Sequence, residues 1–260
     1  MDLNLRDKRV LVTGGSGGLG AAIVEAFAAE GAKVAIHYRT DPKTAQRMAE
    51  SFKAKGGEAL IVQADIADAD AVEAMFARLD QDWGGIDILV NNAGMDGAPA
   101  KAWEIEIAAW SEVIDVNLKG AFLCARQALK RMVKQRSGVI LNTSSVHEVI
   151  AWSGYSAYAA SKAGLSMMAK TLAQEAAPFG VRVLSIAPGA IQTPINQAVW
   201  SDAEGLKDLL TKIPLGRMGK PEDVAGMAVV LASDVGGYVT GTTIFVDGGM
   251  SDYPEFAHGG

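Results

Sequence analysis

The sequence predicts an α/β fold, a doubly wound parallel sheet with helices on both faces. Three observations lead there. Nearly continuous apolar runs alternate with Ala-rich helical stretches, as in a parallel sheet whose two faces are both covered. The first run passes through a glycine-rich turn straight into a helix, the layout of a phosphate-binding crevice. No linker, repeat or low-complexity segment interrupts the 260 residues, so residues 1–260 are expected to form one domain.

The elements follow in order. Strands are expected at 9–14 (RVLVTG), 33–38 (KVAIHY), 58–65 (EALIVQAD), 86–94 (IDILVNNAG) and 138–145 (GVILNTSS). Two more, 181–189 (VRVLSIAPG) and 242–249 (TTIFVDGG), bring the sheet to seven. Helices fall between them at 20–31, 68–84, 111–135 and 157–180. The stretch 188–220, with Pro188, Pro194 and Pro214, is the least regular. It follows a strand's carboxyl end, where a substrate loop belongs.

Composition removes several function classes. Net charge is −6 and there is no basic run, which excludes a nucleic-acid surface. A single cysteine, Cys124, cannot form an internal disulfide and suits a reducing cytoplasm. The opening MDLNLRDKRV lacks a signal peptide's apolar stretch. No apolar run approaches the roughly 18 residues that span a bilayer. These features predict a cytoplasmic protein. His37, His147 and His258 are scattered, so no metal site is expected. Cys124, Met167 and Met168 read as core or subunit contacts.

The chemistry-bearing residues gather at the strands' carboxyl ends. In VTGGSGGLGAAI, Gly14, Gly18 and Gly20 allow a tight turn and close approach of a pyrophosphate to a helix N-terminus. Ser16 and Leu19 lie inside that loop. The spacing is one residue longer than the common dinucleotide fingerprint, and no Gly-Lys-Ser/Thr follows, which rules out a Walker loop. The second strand ends in His37, Tyr38, Arg39 and Thr40, with no carboxylate to hold a ribose 2′-hydroxyl. Arg39 suits a 2′-phosphate, so NADP(H) is favoured, with NAD as a second cofactor; a solvated surface arginine is the alternative. Asp65 and Ile66 are placed to meet an adenine edge. Asn91, Asn92, Ala93 and Gly94 are placed beside the cofactor, although Asn and Gly are equally turn residues. Ser144 and Ser145 close the fifth strand. Pro188 and Gly189 close the sixth, with Ile191 and Thr193 just beyond.

In YSAYAASKAG, Tyr158 and Lys162 are four residues apart and share one helix face. A cation beside a phenol favours the phenolate and lowers a pKa that starts near ~10. Alone the spacing is weak. Together with Thr13-Gly14-x-x-x-Gly18-x-Gly20, Asn91–Gly94, Asn117, Ser145 and Pro188-Gly189, it resembles the short-chain dehydrogenase/reductase family over essentially the whole chain.

That resemblance implies a seven-stranded Rossmann sheet assembled as a homotetramer. It implies Tyr158 as acid/base, Lys162 on the nicotinamide ribose, Ser145 on the reacting oxygen, and Asn117 at a helix bend with a proton-relaying water. Tyr155 would line the entrance or pack in the wall. Within the family the chain resembles bacterial glucose 1-dehydrogenases through SSVHE (144–148), APGAIQTPIN (187–196) and DGGMSDYPEF (247–256). This points to Asp96, His147 and Asn196 as partners of sugar hydroxyls, with the tail 248–260 closing the pocket. Asp96 as a helix cap and His147 as a satisfied rim histidine are the alternatives. The expected reaction is oxidation of an aldose at C1 to a lactone. The rivals are a carbonyl or 3-oxoacyl reductase with the same catalytic residues, and a catalytically silent nucleotide sensor.

Overall fold

The computed structural model describes residues 2–252. Seven parallel strands form one sheet in the order β3-β2-β1-β4-β5-β6-β7. They are β1 (Arg9–Val12), β2 (Lys33–Tyr38), β3 (Ala59–Gln63), β4 (Ile88–Asn91), β5 (Gly138–Thr143), β6 (Val181–Pro188) and β7 (Thr243–Val246). The predicted strands are all present. Most stop short of their predicted carboxyl ends, because residues such as Thr13, Asn92 and Ser145 leave the ladder to build the crevice. The order reverses direction at β1 and β4, and the crevice opens there.

Successive strand residues point to opposite faces, so each strand feeds two cores. Val10, Val12, Ile36, Val90, Leu141 and Ile186 pack with α1 (Gly18–Ala29), α2 (Lys43–Ala54) and α9 (Pro221–Ala232). Leu11, Ala35, Leu89, Ile140 and Val183 pack on the other side. There they meet α3 (Ala69–Trp83), α5 (Ala121–Gln135) and α6 (Ser156–Ala176). Asp68 caps α3 through its carboxylate, and Gly84 ends it in the left-handed conformation.

Four helical regions differ from expectation. The helix predicted at 111–135 begins earlier, as α4 (Ile107–Ile114), and is interrupted by a π-helical turn at Asp115–Gly120 before α5. Neither α2 nor α9 appears among the helices predicted above. The segment 188–220 contains α7 (Gln197–Trp200) and α8 (Ala203–Leu210), so it is more ordered than its prolines suggest. Of the predicted tail 248–260, residues 253–260 lie outside the described part. No helix among the described residues is long and apolar enough to cross a membrane.

Candidate active site

The glycine turn between β1 and α1 is a self-packed cradle. Gly14 has φ +62°, and a Cβ on Gly20 would come within 2.2 Å of the Gly14 carbonyl oxygen, so only glycine fits there. The α1 N-terminus, at Gly17, receives no side-chain cap. A Cβ on Gly17 would meet nothing within 4 Å, and one on Gly18 would meet only Thr193, at 3.9 Å. Free amides facing open space at a helix start fit a pyrophosphate, so the residues present suit a dinucleotide.

Polar contacts hold this turn to β4. Thr13 Oγ1 accepts from the amides of Asn92 (2.9 Å) and Ala93 (3.0 Å), and Asn92 Nδ2 donates to the Thr13 carbonyl (3.1 Å). Arg39 is exposed beyond β2 and forms no ion pair among the described residues. Asp41 is committed elsewhere, accepting from the Lys43 amide at 2.9 Å. Tyr38 is half-buried beside Arg39. Asp65, exposed past β3, accepts from the Ala67 amide, while Ile66 is buried under Gly120 of the π turn. On the far side, Gly189 donates to the Val246 carbonyl, Ile191 is buried and bridges to Gly219, and Thr193 faces the glycine turn. Ser16 and Leu19 lie in the turn itself.

Across the crevice, Ser145, Tyr158 and Lys162 come together. The Ser145 hydroxyl accepts from the His147 amide at 3.2 Å and lies near the Tyr158 phenol, whose pKa it lowers. Ser144 turns away, its hydroxyl donating to the Lys162 carbonyl at 3.4 Å. Lys162, 5% exposed, donates to the Thr143 carbonyl at 2.8 Å and lies 5.5 Å from the centre of the Tyr158 ring. Asn117 sits in the π turn. Its side chain accepts from the Met95 amide (2.8 Å) and donates to the Met95 carbonyl (2.8 Å) and to Ser161 Oγ (3.1 Å). The turn thereby ties the loop after β4 to α6, and such π insertions recur at functional sites. A Cβ on Gly94 would sit 3.1 Å from Asn117 Oδ1 and 3.7 Å from Lys162 Nζ, so a side chain there would crowd the cluster.

The electrostatics correct one expectation. Burial pushes the Tyr158 phenol up to about 12; Ser145 opposes this and Asp96 adds to it. Burial also draws Lys162 down to about 8, against the fields of Asp96 and Glu148. Desolvation of the phenolate therefore dominates, and Tyr158 is a phenol at neutral pH in the free protein.

The substrate side is aromatic. His147 stacks on Trp152 (4.4 Å, 14°), and Trp152 stacks on Tyr155 (3.8 Å, 22°). Tyr158 stands edge-on to both His147 (6.1 Å) and Trp152 (5.9 Å). His147 Nδ1 lies 3.0 Å from the Ile150 carbonyl oxygen, which can only accept. The proton is thus on Nδ1, and burial lowers the pKa, leaving Nε2 as an acceptor. Asp96 is half-buried, its pKa raised by burial against the fields of Lys162 and His147.

Asn196 is differently placed from the sugar contact expected of it. Its Oδ1 accepts from the Thr193 amide (3.0 Å) and hydroxyl (3.2 Å), and its Nδ2 donates to the Ile191 carbonyl (2.8 Å). It fastens the loop after β6. Sequence reasoning missed Trp152, which lies in the stretch AWSGYS (151–156). The Trp itself was the available signal.

A dinucleotide-shaped crevice ending at a Ser–Tyr–Lys cluster defines a nicotinamide-dependent oxidoreductase. The chain belongs to the short-chain dehydrogenase/reductase family, whose members use NAD(P). Residues 14–251 match the family model described as enoyl-(acyl carrier protein) reductase. The chain is 48% identical to 3beta-hydroxysteroid dehydrogenase 1 of Eggerthella lenta, over 98% of both chains. It is 42% identical to glucose 1-dehydrogenase 2 of Bacillus subtilis, over 97% of this chain and 98% of that one. The solved gluconate 5-dehydrogenase of Burkholderia cenocepacia, in complex with NADP and tartrate, superposes with TM-score 0.92 at 32% identity. That match covers 96% of this chain and 98% of the other.

Proposed function

We propose that the protein moves hydride between NADP(H), with NAD as second cofactor, and the carbinol carbon of a ring-shaped substrate. The first substrate class is a glucose-like aldose, oxidised at C1 to a lactone. The observation that carries this is the placement of Ser145, Tyr158 and Lys162 beneath the His147–Trp152–Tyr155 ring stack. A ring substrate set against this aromatic wall would bring a hydroxyl towards Tyr158 and Ser145, with Asp96 and the His147 Nε2 as polar partners for further hydroxyls.

In the oxidative direction Tyr158 takes the hydroxyl proton, and a nicotinamide held in the crevice would supply the hydride acceptor for the same carbon. Ser145 orients the reacting oxygen, and Lys162 holds the nicotinamide ribose and favours charge on Tyr158. In the reverse direction Tyr158 donates its proton to the carbonyl oxygen. Asn117 positions α6 and the loop after β4. Arg39 reads a 2′-phosphate, Asp65 and Ile66 flank the adenine, and the glycine turn holds the pyrophosphate. Exposed Phe122 on α5 and Met167 on α6 support assembly as a homotetramer, which light scattering would measure.

A second reading is a ketone or hydroxysteroid substrate. Two observations favour it: the Asn196 amide is already committed, and the wall is aromatic rather than lined with hydroxyl partners. The 48% identity to a steroid dehydrogenase points the same way. The test is absorbance at 340 nm with both cofactors and glucose, xylose, a 3β-hydroxysteroid and a 3-oxoacyl thioester. Sugar oxidation supports the first reading, and turnover of the steroid alone selects the second. Thioester reduction alone also selects the second, as a ketone reductase, and no turnover rejects both.

A further inference from the structure

His37 is 2% exposed, on β2, and the chemistry described so far leaves it without a role. Its two ring nitrogens are both engaged. Nε2 lies 3.0 Å from the Ala64 carbonyl oxygen, which can only accept, so Nε2 carries the proton. Nδ1 accepts from the Gly14 amide at 2.9 Å. The neutral ring thus links the chain after β3 to the first residue of the glycine turn. Gly14 is held at its other end as well, since Asn92 Nδ2 donates to its carbonyl at 3.4 Å. Its left-handed backbone aims the rest of the turn, Gly17 and Gly18 included.

We propose that His37 is a positioning residue for the cofactor's pyrophosphate, fixing the Gly14 peptide and making dinucleotide binding sensitive to acid. An imidazolium carries donors on both nitrogens. Its Nδ1–H would oppose the Gly14 N–H, donor against donor, and the link would break. The groups facing the ring are few. From the first turn there is the Gly14 amide, and beyond β3 the Ala64 carbonyl and the Asp65 carboxylate, whose field favours the imidazolium. Arg39 lies two residues further along the chain. The layer on that face of the sheet is apolar around Val62 and Val72 and includes Cys124, whose thiol burial pushes to about 12 and so keeps neutral.

Burial dominates at His37 and lowers its pKa from 6.5. With the folded value below the unfolded one, the stabilisation is complete above 6.5 and is lost as pH falls below it. Cofactor affinity, set within the folded protein, falls only as pH drops through the lowered folded-state pKa, because the competent turn is the one with neutral His37.

The test uses the full protein without substrate. Binding of NADP⁺ is titrated by tryptophan fluorescence from pH 5 to 8 for wild type, His37→Asn and His37→Phe. Asn keeps an acceptor near the Nδ1 position and does not titrate; Phe keeps the ring and removes the acceptor. Wild type should weaken as pH falls, and His37→Asn should match it at pH 8 and change less in acid. His37→Phe should be weaker by about 2- to 10-fold throughout, the range for one net hydrogen bond. Nitrogen NMR of the cofactor-free wild type should show the Nε2–H tautomer. Equal affinity of His37→Phe and wild type, an acid limb undiminished in His37→Asn, or an Nδ1–H tautomer would overturn the proposal. If His37→Phe fails to fold, the Asn variant and the tautomer decide it.

Discussion

The crevice above β1 and β4 and the wall above α6 are built by different means. In the crevice, Thr13, Gly14, His37 and Asn92 exchange hydrogen bonds of 2.9–3.4 Å that fix the turn's frame. In the wall, His147, Trp152 and Tyr155 are piled face to face, with the edge of Tyr158 against them. A hydrogen-bonded frame fixes direction and suits a ligand of constant geometry such as a dinucleotide. Stacked rings fix a plane and leave rotation within it, so they hold a ligand less tightly to one orientation.

The sharpest test of the wall is the group at its foot. Tyr158→Phe keeps the edge contacts and removes the proton carrier, so turnover should fall by about 10²- to 10⁴-fold while NADP⁺ binding persists. Tyr155→Phe should change turnover far less; equal losses would remove Tyr158 from its role. The same residue sets a pH profile. With its phenol pushed to about 12, oxidation should rise with pH across the neutral and alkaline range. Carbonyl reduction, which needs the phenol, should hold through neutral pH. An oxidation rate that is flat from pH 7 to 10 would contradict this.

Next in size is the crevice. Arg39→Ser should weaken NADP⁺ by about 1.5–3 kcal/mol and NAD⁺ much less, through loss of a charge-assisted contact. Equal losses would show that Arg39 does not read the 2′-phosphate. The smallest effects separate the wall from the loop beside it. Trp152→Ala should raise KM for a ring substrate by about 0.5–1.5 kcal/mol with little change in melting temperature. Asn196→Ala should do the reverse, costing about 0.5–2 kcal/mol of stability, since its amide ties Thr193 to Ile191. A KM effect at Asn196 without a stability loss would return it to the sugar pocket.

Much of this was legible because burial on both faces makes strands continuous apolar runs. Helix α2 was harder: KTAQRMAESFKA is mostly polar and buries only Ala45 and Ala49. Helix α9 starts at Pro221, directly after a proline-rich loop, which hides its onset. The π turn at Asp115–Gly120 is invisible in a pattern whose apolar spacing runs on through it. Trp152 gave no pattern signal, because its stacking partners lie five residues before and three after it.

The sequence by itself determined the parallel sheet, the glycine turn and the Tyr158–Lys162 pairing. Each is written in short-range spacing: near-continuous apolar strand runs, glycines that alone fit the turn, and one helical turn between two side chains. Tertiary structure decided the protonation of Tyr158, the commitment of the Asn196 amide and the link from His37 to Gly14. Those depend on burial and on partners brought together from separate strands and loops, and no local pattern encodes how deeply a side chain is buried or what it meets there.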